Sequence, residues 1–199
     1  LPIVKYDARA GRISRRDRAN GETTEVDITK SFRAVFDAEN VEIGWANFNT
    51  GSAPDMRLSR YADGKQIPQP SQDFRRAVRY IVKLGKECGG DVREFASNAN
   101  ATLEGINKLQ EAYEAGVKDN PGKLPVVGLK DSIAKTSGEG QKRSTNYVPV
   151  FEIVGWVKRP DDLVYQSRNS SADSSAPPAT GSTKVSAPAD VSADEEDFG

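Results

Sequence analysis

The chain has 199 residues, which suits one domain plus an appendage, and its 28 basic side chains nearly cancel 29 acidic ones. With no histidine and a single cysteine, Cys88, it excludes imidazole acid–base chemistry, Ser-His-Asp and Cys-His nucleophiles, a cysteine–histidine zinc site and an internal disulfide. The charges are unevenly placed: residues 166–199 hold two basic and six acidic side chains, leaving 26 and 23 in the body, so a mildly basic domain precedes an acidic end.

Residues 1–20 form a basic arm in which Lys5, Arg9, Arg12, Arg15, Arg16 and Arg18 outweigh Asp7 and Asp17. It is either a solvated terminus or an arm that contacts nucleic acid. From Glu25, the alternation of Val26, Ile28, Phe32, Ala34 and Phe36 predicts one half-buried strand. Two more strands follow, over residues 41–48 and 56–61, and residues 65–70 read as loop. Ser71 is placed as an N-cap, and Phe74, Ala77, Val78, Ile81 and Cys88 at helical spacing predict a helix that Gly89 and Gly90 stop. Its polar side is basic, with Arg75, Arg79, Lys83 and Lys86 on one face. A second helix is expected over residues 102–115, with Leu103, Ile106, Leu109, Gln110 and Tyr113 as its stripe, before a turn at residues 119–122. Residues 124–129 read as a short strand and residues 148–157, apolar on both faces except at Glu152, as a central one. Between them, residues 135–146 read as a flexible, net-basic loop. Residues 166–199 are mostly Ser, Ala, Pro, Thr and Gly, a composition that predicts a disordered linker with an acidic tip.

Chemical motifs are sparse. The nearest approach to a phosphate-binding loop, residues 116–123, has the wrong spacing and Leu124 where the hydroxyl belongs. Ser132 and Lys135 match the S-x-x-K nucleophile pattern without its companion motifs. Glu25, Asp27, Asp37, Glu39 and Glu42 are the candidates for carboxylate-only metal chemistry, but they also fit the solvent side of amphipathic strands. The chain is therefore expected to be no enzyme and to need no cofactor or metal. No apolar run approaches the roughly 18 residues of a membrane helix, and the first residues are too short a stretch for a signal peptide. The expected location is the cytoplasm of a bacterium or a phage-infected host.

Three strands, a helical insertion at about residues 71–116 and two further strands suit a mostly β domain over residues 21–165, built as a five-stranded OB-like barrel. Cations interleaved with aromatics are what non-specific single-strand binding requires. The candidates are Arg12, Arg15, Arg16, Arg33, Arg57, Arg60, Arg75, Arg79, Lys83, Lys142 and Arg143, with Trp45, Phe48, Tyr61 and Tyr147 as stacking surfaces. Phe32, Phe36, Phe151 and Trp156 are assigned to the core.

The end Asp194-Glu195-Glu196-Asp197-Phe198-Gly199 resembles the acidic, Phe-bearing C-terminus of bacterial and bacteriophage single-stranded DNA-binding proteins, although here Gly199 follows the Phe. The resemblance implies an OB fold that binds the strand. It also implies a tail whose residues Asp194, Glu195, Glu196, Asp197 and Phe198 dock on replication, recombination or repair proteins and compete with DNA for the groove. Two other readings stand beside it. One is a phage structural, assembly or adaptor protein that uses the tail as a docking peptide. The other is a Mg²⁺-dependent carboxylate nuclease. Oligomeric state is left open.

Overall fold

A computed structural model describes residues 1–48 and 53–168 of the chain. The expected linker beyond Arg168 and the tip residues 194–198 lie outside the described residues. Among the described residues there are ten strands and one α-helix: β1 (Ile3–Asp7), β2 (Arg12–Ala19), β3 (Glu22–Asp27), β4 (Arg33–Phe36), β5 (Glu42–Asn47), β6 (Asp55–Arg60), β7 (Arg75–Leu84), β8 (Val92–Ser97), α1 (Asn100–Gly116), β9 (Lys123–Ser137) and β10 (Ser144–Lys158). The chain is thus mostly β, as patterning predicts, with one helix where two are expected.

The strands form one sheet in the order β10-β9-β4-β7-β8-β1-β2-β3, with β5 paired to β7 and β6 outside β5. The long β7 holds the sheet together. Its first half pairs with β5 (Arg79 opposite Glu42) and its second half with β4 (Val82 opposite Phe36), while β8 runs along its other edge. The ladder does not close into a barrel. β10, at one end of the path, approaches β1, two strands short of the other end, where the Tyr147 amide donates to the Ala8 carbonyl at 2.6 Å and the Tyr6 hydroxyl reaches the Tyr147 carbonyl and Ser132 Oγ.

The core is aromatic at its centre. Phe36 is fully buried and lies 5.2–6.4 Å, ring to ring, from Phe32, Tyr80, Phe95 and Phe151. Such edge-on and tilted pairs add roughly 0.5–1.5 kcal/mol each beyond burial. The helix covers this core with Ile106, Leu109 and Tyr113, and Tyr113 stacks on Trp156 of β10 at 5.9 Å. Gln110, expected in the apolar stripe, accepts a hydrogen bond from the buried Tyr80 hydroxyl. Removal from water pushes the Tyr80 phenol well above its ordinary pKa, so it stays a donor.

Six expectations are corrected. The helix predicted over residues 71–88 is strand β7, because Val78, Tyr80, Ile81 and Val82 favour a pleated backbone and the run is buried on both faces. A doubly buried strand has no polar–apolar alternation, and its continuous apolar residues satisfy helical spacings by chance. The basic arm is not an appendage: β1 and β2 bury Val4 and Ile13 and join the sheet through a parallel pairing of β1 with β8. The single strand expected over residues 26–36 is two, β3 and β4, parted by a turn in which Ile28 and Phe32 enter the core. The flexible loop over residues 135–146 is largely paired, with Ser137 still opposite Ser144. The strand expected to be central, β10, ends the strand order; Phe151 serves the aromatic core, while Pro149 and Trp156 face α1. The five-strand count gives way to ten strands accordingly.

Where α1 crosses β10 the contact is backbone-close: a Cβ on Gly105 would overlap the Pro149 carbonyl oxygen. Alanine gains up to about 1 kcal/mol over glycine inside a helix, yet overpacking costs about 1–3 kcal/mol. Gly105→Ala is therefore expected to lower the urea midpoint, whereas the open Gly122 in a positive-φ turn gives no such clash.

Candidate nucleic-acid interface

The pleat sorts each strand's residues onto two faces, and the registers align those faces across the sheet. The outer face carries Arg75, Ala77, Arg79, Ile81 and Lys83 from β7, Glu94 and Ala96 from β8, Ile3, Lys5 and Asp7 from β1, and Arg16 from β2. A groove of about 840 Å³ crosses this face. Met56 and Ala96 in its lining belong to a small apolar cluster with Ala46, Leu58 and Ala77. Its charged lining is Lys5, Arg9, Arg16, Arg75 and Arg168 against Asp7 and Glu94, and Phe48, 39% exposed, stands at its rim. Asn98 to Ala101, where α1 begins, complete one wall. The helix has no side-chain cap and no acidic residue in its first turn, so its positive end adds to the cationic field.

Of the sequence candidates, the structure brings Arg16, Phe48 and Arg75 together in this groove, with Arg16, like the lining Lys5, also paired to Glu25 beside it. It directs others elsewhere. Arg79 is 4% exposed and held by Glu42 at 2.5 Å and Glu94 at 2.8 Å. Burial alone would lower its pKa, but the two carboxylates outweigh that and raise it, so the guanidinium is permanently charged and already matched. Lys83 pairs with Asp162, Arg12 with Asp27, Arg57 with Asp55 and Arg60 with Asp63, while Arg15 donates to the Cys88 carbonyl. Trp45 is no free platform: its indole N–H donates to the Ile67 carbonyl and the Arg76 guanidinium covers its ring at 4.3 Å. Tyr147 is half-buried at the seam between β10 and β1. Arg33, Lys142 and Arg143 are exposed and outside the groove lining.

Tyr61, 54% exposed, belongs to a second cavity of about 640 Å³ between β5 and α1. That cavity is lined largely by apolar residues, with Glu111 and Glu114 against the single cation Arg76, a net negative set that disfavours phosphate. Lys5 and Arg9, first grouped with the arm, and Arg168 and Asn146 are the lining residues that sequence reasoning left out. Alternation along β1 was the signal that could have found Lys5.

The carboxylates considered for metal are committed individually. Asp37 is bound by Arg159, Glu42 by Arg79 and Asp27 by Arg12, and Glu25 accepts from Ser14, which chiefly lowers its pKa. Among the described residues no cluster of three metal-ligating side chains occurs. Ser132 and Lys135 cannot act as a pair: Ser132 Oγ donates to the Gly11 carbonyl, while Lys135, three residues along the strand and on its opposite face, pairs with Glu104.

Comparison with protein-family models, curated proteins and solved structures finds no match to this chain.

Removing one partner of a buried ion pair costs roughly 3–5 kcal/mol, whereas an exposed pair is worth less than about 1 kcal/mol. Arg79→Met should therefore lower stability by several kcal/mol in urea unfolding. Arg57→Met, whose pair with Asp55 is open to water, should change it little.

Proposed function

We propose that this chain is a sequence-nonspecific single-stranded DNA-binding protein, not an enzyme, and that the strand lies in the groove across β7, β8 and β1. The observation that carries the reading is the groove's lining, five cations against two carboxylates around an exposed Phe48. Cations on a backbone track release counterions on binding, and an aromatic face stacks any base at about 1–3 kcal/mol.

The strand order gives further support. β4 with β5, β7, β8, then α1, then β9 and β10, with β9 returning to pair with β4, follows the order of an OB-like barrel with its helix before the fourth strand. In that architecture the second and third strands form the oligonucleotide face. Here those strands are β7 and β8, which line the groove through Arg75, Glu94 and Ala96. The acidic tip, Asp194 to Asp197 with Phe198, is proposed to recruit replication, recombination or repair proteins, on the resemblance of that terminus alone.

Fluorescence anisotropy with a labelled oligo-dT of about 30 nucleotides tests the reading, using the full chain and a chain ending at Arg168 across a salt series. Binding should prefer the single strand over duplex competitor and weaken steeply with salt. Phe48→Ala should cost about 1–3 kcal/mol, and Arg75→Glu should weaken binding and flatten the salt dependence by at least about one charge. No binding by either chain at low salt would overturn the proposal.

A further inference from the structure

The chain does not leave the domain at the end of β10. Arg159 grips Asp37 through two hydrogen bonds, at 2.7 and 2.9 Å, and turns the backbone onto the outer face of the sheet. The strap that follows runs along β7. Asp162 meets Lys83, Leu163 is fully buried with Ile81 and Leu124, the Gln166 carbonyl accepts from Arg79, and the Tyr165 hydroxyl donates to Glu42. It reaches the groove at Arg168, whose guanidinium lies 3.3 Å from Glu94.

Four charges meet there. Glu42 and Glu94 face the single buried cation Arg79, and Arg168 supplies the second positive charge that balances the set. Glu94 and Arg168 both line the groove. Without Arg168 the wall would carry an excess carboxylate, 7% exposed, beside the path of a polyanion. In so little water such a charge is poorly screened.

We propose that the strap is a working wall of the binding groove and that Arg168 is a positioning residue, which admits the strand by neutralising Glu94. This rests on the groove being the DNA site. It assigns residues 161–168 to the binding domain, and it makes strap docking and strand binding favour each other, because a linkage of this kind is reciprocal.

The test is a double-mutant cycle in the full chain, read by oligo-dT anisotropy, with melting temperature as the check on folding. Arg168→Ala should weaken binding at least about fivefold, the lower end of ordinary coupling between sites. Arg168→Lys should restore most of it. In the presence of Glu94→Gln, Arg168→Ala should cost little, since the carboxylate it offsets has gone. An equal loss in both backgrounds would overturn the proposal and make Arg168 a direct phosphate contact; so would no loss in either. Should Glu94→Gln disturb folding, amide exchange in the unaltered chain reads the same linkage: oligo-dT must slow exchange at Leu163 and Val164, and unchanged exchange counts against it. Wild-type chain that ignores oligo-dT would instead overturn the underlying DNA reading.

Discussion

The buried guanidinium of Arg79 is the constraint around which this molecule is arranged. It sits mid-strand in β7, between Glu42 of β5 and Glu94 of β8, and takes the Gln166 carbonyl as a further acceptor. Three adjacent strands and the chain's return segment are thus fixed to one planar group, whose fork geometry tolerates little displacement. An arginine so placed adds directional requirements to a face that apolar packing alone would leave slippery.

The same strand separates structure from surface. On one face of β7, Val78, Tyr80, Val82 and Leu84 close the aromatic core beneath α1. On the other, Arg75, Ala77, Arg79, Ile81 and Lys83 form successive stations from open groove to sealed strap. The proposed site is therefore supported from below by the aromatic core.

What the sequence disclosed followed from what its patterns encode. Helix α1 was legible because its apolar spacing is periodic and glycine closes it, and β5 and β6 because their alternation is clean. β7 was misread because burial on both faces erases alternation, the one signal that separates a strand from a helix in a short apolar run. β1 and β2 were hidden by their cations Lys5, Arg12 and Arg16, which Glu25 and Asp27 on β3 absorb; nothing in a linear reading announces partners that lie many residues away. The site was half legible for the same reason. Residue type nominated the cations, but only the registers decide which, like Arg75, face open space and which, like Arg79 and Lys83, are already matched.

The parallel pairing of β1 with β8 sets Ile3 opposite Glu94, and the seam beside it joins Ala8 to Tyr147. β1, synthesised well before β8 and β10, therefore has no seat until most of the domain has followed it. Until then the hairpin of β1 and β2 carries Val4 and Ile13 uncovered and an unpaired backbone edge, the kind of surface on which nascent chains associate. Closing such distant contacts is slow because chain entropy opposes them until many form together.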